Sequence, residues 1–360
     1  MSREYDYEEQ FHGQERKKWR KERRLAQTSD RSKFKKSDQE KKVGVEIDPK
    51  WGRGRVVAIT GEGVWIDING ERTLASLKGL LKKDKLQTKN IVAVGDFVRF
   101  TDDFAIAHIE ERYSFLARTD VSGRKEQLIA VNIDQAIIAI SVVNPPLKAA
   151  LVDRYLIAAE KGNIHPIIAI NKIDLLDEAS ASEKMRYQEF LLVYEKLGFP
   201  ILSISTKKII GLDGLKSLLK NKTTVFSGQS GVGKSSLINT AFGLNLKIGE
   251  LAQKTSKGSH TTSTAELIAL PGGGYCVDTP GIRSFGIWKL RKEEVVKHFH
   301  DLTGHGCKFP DCLHINEPDC GVLKGLEKGE ISPLRYESYR TLIDEAMGGA
   351  DNWAKKKGEM

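Results

Sequence analysis

Apolar and polar positions alternate in short runs between residues 55 and 112: RVVAIT, VWIDI, ERTLASL, IVAVGDFVRF and AIAHIEER, with Asn69-Gly70 separating the second from the third. Alternation with period two turns one face of each strand to a core and the other to water, and Asn-Gly is a strong hairpin signal. About five short strands in roughly sixty residues predict a small OB-type barrel, an architecture that often binds nucleic acid. Beyond residue 135 the texture changes. AIIAISVV (136–143), PIIAIN (166–171) and PILSIS (200–205) are almost uninterrupted apolar runs, with helical periodicity near 151–161 and 182–197. Continuous apolar strands between amphipathic helices predict a parallel α/β sheet covered on both faces, whose ligands bind beyond the carboxyl ends of its strands. Residues 113–134 read as a connector between the two textures. Helical patterns recur near 292–300 and 333–347, whereas residues 1–50 hold too few apolar positions to predict a core.

The strongest chemical signal sits where a strand ends. A β-prone run from Thr223 to Phe226 leads into Gly228, Gln229, Ser230, Gly231, Val232, Gly233, Lys234, Ser235 and Ser236, which fit G-x-x-x-x-G-K-[ST]. A helical pattern follows from Leu237. Glycines let successive backbone N–H groups turn inward around an anion, and the helix N-terminus behind them adds its dipole. Lys234 would reach the β- and γ-phosphates, and the Ser235 hydroxyl would hold Mg2+. A glycine-rich turn before a helix is the bland alternative, weakened by the strand before and the helix after.

Asn171-Lys172-Ile173-Asp174 closes the PIIAIN strand. Asp174 can accept hydrogen bonds from two guanine N–H groups that adenine does not present, Asn171 can brace the neighbouring loop, and Lys172 can lie over the base. After the next strand, Ser205-Thr206-Lys207 is similar to the Ser-Ala-Lys loop that backs guanine in GTPases, with Thr206 departing from the usual alanine. Downstream, residues 267–270 and 275–277 read as a hairpin delivering Asp278-Thr279-Pro280-Gly281. Asp278 would hold Mg2+ directly or through water, and the Gly281 amide would meet the γ-phosphate, so this segment can tell GTP from GDP. Lys257-Gly258-Ser259-His260-Thr261-Thr262 lies in a polar stretch suited to a switch, where Thr261 or Thr262 would complete the Mg2+ shell. Many GTPases carry a water-orienting glutamine just after D-x-x-G; here that position is Ile282, and His260 is the nearest candidate to act instead. The guanine motif precedes the phosphate loop, the reverse of most GTPases, so the chain looks circularly permuted.

Cys307-x4-Cys312-x-His314-x5-Cys320 offers three thiolates and an imidazole, a closed tetrahedral set suited to structural Zn2+, one per chain. His305 is a possible substitute ligand, and Cys276, inside a strand, reads as a small buried hydrophobe. The chain's 57 Lys and Arg against 48 Asp and Glu, a formal charge of +9, favour a polyanionic partner. Basic residues concentrate over 16–42, as a solvated tail or as an arm that orders on RNA phosphates, and again at Lys78, Lys82, Lys83, Lys85 and Lys89 and at the end of the chain. With no secretory segment, no apolar run long enough for a bilayer, and acidic Glu4, Asp6, Glu8 and Glu9 near the start, a soluble cytoplasmic protein with no membrane partner is expected.

A β-barrel, N-K-I-D ahead of G-Q-S-G-V-G-K-S-S, the stretch K-G-S-H-T-T-S, D-T-P-G-I-R and the Cys-Cys-His-Cys cluster together resemble the RsgA (YjeQ) family of small-ribosomal-subunit biogenesis GTPases, over about residues 52–346. Val94-Gly95-Asp96 and Val152-Asp153-Arg154-Tyr155 are also family-like. The resemblance implies GTP hydrolysis stimulated by the small ribosomal subunit, late maturation of that particle, contact of barrel and zinc domain with its rRNA, and a catalytic histidine at His260. It does not extend to the first fifty or so residues. The expected organisation is multidomain: a basic extension (1–50), an all-β OB-fold barrel (51–116), a circularly permuted α/β P-loop GTPase domain (117–288) and a small α-helical zinc-binding domain with a basic tail (289–360). A monomer that binds GTP and GDP with Mg2+, and not DNA, is expected. Two other classes compete: a nucleic-acid-binding module with a non-catalytic nucleotide fold, against which Lys234, Ser235, Asp278 and Asp174 weigh, and an ATP-using kinase or transport ATPase, which the guanine motif disfavours.

Overall fold

Strands β1 (Gly52–Ile59), β2 (Val64–Ile68), β3 (Glu71–Leu77), β4 (Phe97–Phe100) and β5 (Ala105–Ile109) close a barrel in the order β1-β2-β3-β5-β4 and back to β1. Every pairing in it is antiparallel except β3 with β5. The alternating pattern accounts for the closure, because Val56, Val64, Ile66, Val98 and Ile106 all turn inward to one core. Asn69 and Gly70 both take positive φ (56° and 96°), as an Asn-Gly hairpin turn requires. The computed structural model describes residues 47–77, 91–119, 126–244, 265–278 and 290–355. Residues 1–46 and the lysine-rich segment 78–90 lie outside them.

Residues 113–134 are more than a connector. They contain β6 (Phe115–Thr119) and β7 (Glu126–Val131), which form a separate two-stranded antiparallel sheet. Leu116 and Ala130 bury in the same core as the α/β region. The runs are only five and six residues long, so periodicity alone does not separate them from a loop.

The α/β region follows: β8 (Gln135–Ser141), α1 (Ala149–Lys161), β9 (His165–Asn171), α2 (Ala181–Lys196), β10 (Ile201–Ser203), α3 (Leu212–Leu219), β11 (Thr223–Gly228), α4 (Lys234–Phe242), β12 (Glu266–Ala269) and β13 (Tyr275–Asp278). Strands β10-β9-β8-β11-β13 run parallel and β12 adds antiparallel at the end. Both faces are covered, as the apolar runs predict. Along β8, Ile138 and Ile140 point into a core with Val152, Leu156 and Phe190, while Ile137 and Ala139 point into another with Leu215, Leu219 and Leu237. α2 starts at a capping box in which Ser180 and Glu183 satisfy each other's backbone N–H groups.

C-terminal helices α5 (Lys292–His298), α6 (Gly321–Glu327) and α7 (Pro333–Lys355) pack around Val295, Phe299, Val322 and Leu342, with Ile157 of α1 joining them. α6 is an addition to the two helical stretches that the pattern predicts; at seven residues it is too short to show a period. Among the described residues no helix is long and apolar enough to cross a membrane.

Candidate functional site

Asn171 ends β9, Gly228 ends β11 and Asp278 ends β13, so the parallel sheet carries all three to one edge. Two glycines make the phosphate loop fit there. Gly228 has φ +132° and a Cβ on it would lie 1.9 Å from the Ala139 carbonyl oxygen; Gly233 has φ +90° and a Cβ would meet Asn171 Nδ2 at 2.7 Å. The Asn171 amide uses that closeness, its Nδ2 donating to the Val232 carbonyl at 2.9 Å. Asn171 thus ties the end of β9 to the loop between β11 and α4. Its Oδ1 is buried without a hydrogen-bond partner among the described residues.

Lys172 has positive φ (62°) and sends its ammonium across to the carbonyls of Gly231 at 2.7 Å and Asn144 at 2.8 Å. Its aliphatic stem therefore spans from the end of β9 to the loop between β11 and α4. Asp174 is half-buried, and Ser205 Oγ donates to its Oδ1 at 2.6 Å. Ser205 in turn accepts from the Lys208 amide, so one carboxylate oxygen is oriented from the next strand end, while in the turn Thr206 is half-buried and Lys207 exposed. Lys234 Nζ donates to the carbonyls of Gly228 and Gln229, both at 2.9 Å, curling over the loop. Ser235 is half-buried in the first turn of α4, and Asp278 is 5 % exposed on the strand next to β11. A hydroxyl and a carboxylate oxygen beside a phosphate loop are the hard donors that Mg2+ takes. His260, Thr261, Thr262, Gly281 and Ile282 lie outside the described residues.

Tyr155 belongs to this site although its sequence context assigns it no role. Burial raises the pKa of its phenol against hydrogen bonds from Ser227 and the Gly228 backbone, so α1 supports the strand that feeds the phosphate loop. The signal in sequence is only its place in Val152-Asp153-Arg154-Tyr155.

The second cluster is at the C-terminal side. Ligand atoms of Cys307, Cys312, His314 and Cys320 all lie within 4.8 Å of one another. His314 Nδ1 stands 3.4 Å from the sulfurs of Cys307 and Cys320, which are 3.9 Å apart. Tetrahedral zinc with bonds of about 2.0 to 2.3 Å separates its donors by roughly 3.6 to 3.8 Å, so the donor set fits. His305 is turned away to the Asp301 carbonyl and Cys276 is buried in β13. Glu317 holds the cluster's loop by accepting from the amides of Leu313 and Ile315 at 2.8 and 2.7 Å. From α7, Tyr336 and Tyr339 donate to the carbonyls of His314 and Leu313. Such outer partners fix the posture of metal ligands.

Between the two clusters lies a buried ionic network. Arg335, 2 % exposed, pairs with fully buried Asp153 and with Asp301 at 2.9 Å, and its guanidinium lies 3.9 Å over the Phe299 ring. Tyr194 and Ser338 donate to the same Asp153 carboxylate. Burial, the largest influence, would raise the Asp153 pKa, but the Arg335 charge, His298 and the Ser338 hydrogen bond together outweigh it and the net shift is downward. The pairing keys α7 to α1 and α2.

The family described as RsgA GTPase matches residues 109–288 of this chain. The small ribosomal subunit biogenesis GTPase RsgA of Thermotoga petrophila is 36% identical over 303 residues, 82% of this chain and 97% of that protein. RsgA 1 of Vibrio vulnificus is 42% identical over 253 residues, 69% of each chain. Among solved structures, YjeQ from Thermotoga maritima aligns with a TM-score of 0.65 at 33% identity, covering 83% of this chain and 99% of that one. YloQ, a circularly permuted GTPase, aligns with a TM-score of 0.60 at 27% identity over 85% and 98%.

Proposed function

The chain belongs to the RsgA GTPase family, a circularly permuted GTPase of ribosome biogenesis, and from that membership we propose that it hydrolyses GTP in response to the small ribosomal subunit during late maturation of that particle in the cytoplasm. Asp174 reads guanine, with Ser205 orienting it, Thr206 and Lys207 backing the base, and Lys172 covering it. Residues 228–236 wrap the phosphates, Lys234 moving from its loop carbonyls to phosphate oxygens. Ser235 and Asp278, with Thr261 or Thr262, hold Mg2+, which when bound neutralises charge on the β- and γ-phosphate oxygens. His260 orients the attacking water, and the Gly281 amide senses the γ-phosphate. The barrel and the zinc-bearing region carry the rRNA contacts. The observation that best supports the reading is the Asn171–Val232 bond at 2.9 Å together with the Lys172–Gly231 bond at 2.7 Å, which join guanine motif and phosphate loop despite their reversed order.

The test is turnover of GTP and ATP with and without purified small subunits. The expected outcome is slow GTP hydrolysis by the free protein, strong acceleration by subunits, and no use of ATP. In single-turnover assays His260→Ala should keep GTP affinity and subunit binding while stimulated hydrolysis falls about tenfold or more, the size expected of a misplaced nucleophile. Stimulation like that of the unmodified protein would move the role to another group.

A further inference from the structure

The hairpin of β12 and β13 has the barrel on one side and the nucleotide corner on the other. Glu266, the first residue of β12, pairs with Ala58 of barrel strand β1 and, across the hairpin, with Asp278. Three neighbouring strands thus line up the barrel, Glu266 and Asp278. Residues directly opposed on antiparallel strands share a face with Cβ atoms about 4.5 to 5.5 Å apart, and like charges so placed repel. The barrel answers that repulsion with Arg72 of β3. Its Nη1 pairs with Glu266 Oε1 at 2.6 Å and its Nη2 donates to the Leu267 carbonyl at 3.2 Å, so one guanidinium grips both the side chain and the backbone of β12.

We propose that Arg72 and Glu266 are positioning residues for Asp278: through this pair the barrel sets where the Mg2+-side carboxylate stands, and a partner engaging the barrel is felt at the nucleotide. The inference rests on the assignment of Asp278 to Mg2+ made above. Leu267 supports it, since the residue whose carbonyl Arg72 holds is fully buried and pairs with Val277, the neighbour of Asp278. A shift of β12 would therefore carry β13 with it.

The test is the Mg2+ concentration that half-saturates binding of fluorescent GDP to the full chain, measured for Arg72→Ala, Arg72→Lys, Glu266→Gln, the Arg72→Ala/Glu266→Gln double variant and, as reference, Asp278→Asn. A positioning role moves Arg72→Ala and Glu266→Gln in the same direction, each raising the requirement about two- to fivefold, the effect of a part-exposed ion pair. The double variant should be no worse than the weaker single, and Arg72→Lys should recover most of the loss. A purely through-space charge effect would move the two singles in opposite directions, because one removes a positive and the other a negative charge. Opposite or absent shifts alongside a clear effect of Asp278→Asn would overturn this inference alone; no effect of Asp278→Asn would overturn the Mg2+ assignment and this inference with it.

Discussion

Helix α1 serves two regions that are built on different physics. Toward the phosphate loop it offers Tyr155, in a corner where position comes from backbone: glycines with positive φ, Asn171 on the Val232 carbonyl, and the ammonium groups of Lys172 and Lys234 on loop carbonyls. Toward the C-terminal helices it offers Asp153, in a seat where position comes from buried charge. A neutral carbonyl holds a lysine loosely enough for a phosphate to take it over, whereas a buried carboxylate and guanidinium left without each other face a desolvation penalty of several kcal/mol. The corner is thus arranged to exchange partners and the seat to keep them. Side-chain changes in the corner should alter binding with little cost to the fold; those in the seat should do the reverse.

The metal gives the largest separation of the two. The purified protein should carry one Zn2+ per chain, and Cys312→Ser or chelation should release it and unfold the surrounding loop locally, since structural zinc sites contribute about 10 to 16 kcal/mol of apparent binding energy to their small units. GDP affinity should survive. Elemental analysis with nucleotide titration checks both, and a zinc-free preparation that is fully active would refute the assignment. Next in size is Arg335→Met, which strands the Asp153 carboxylate in the interior at about 3 to 5 kcal/mol by chemical denaturation. Adding Asp153→Leu should restore part of that loss; a single-variant cost below about 1 kcal/mol would show that the seat does not depend on buried charge.

Asp174→Ala probes the other side. On the proposed assignment it leaves two guanine N–H groups unpaired and should weaken GDP binding by about 1 to 3 kcal/mol, while loss of the Ser205 bond should lower the melting temperature less than Arg335→Met does. Unaltered affinity and unaltered preference over ADP would remove Asp174 from the guanine site. The smallest effect is a pH dependence of the seat. Burial disfavours the charged form of His298, yet Asp153 and Glu160, each 3.5 Å from a ring nitrogen, outweigh it, against the opposing charge of Arg335, and its pKa is raised. A raised folded-state pKa stabilises fully below the unfolded value of about 6.5 and loses that stabilisation as pH climbs through the folded value. Denaturation midpoints should therefore decline from about pH 6.5 upward, and His298→Gln should flatten that part of the profile.

What the sequence by itself determined was whatever depends on local backbone geometry. Gly228 and Gly233 can be read as a phosphate loop because only glycine meets their conformations and contacts. Asn69-Gly70 can be read as a hairpin for the same reason, and the strands 136–143 and 166–171 because burial on both faces demands unbroken apolar runs. The Cys-Cys-His-Cys spacing belongs with them, since its ligands fall within fourteen residues of one another. Short elements such as β6, β7 and α6 stayed illegible, because a few residues carry too little periodicity. The partnerships between distant residues were decided by tertiary structure alone. Arg335 meets Asp153 across 182 positions and Arg72 meets Glu266 across 194. Nothing in either segment marks its partner, because a charge in a sequence looks the same whether water or a buried counter-charge surrounds it, and only the packed chain distinguishes the two.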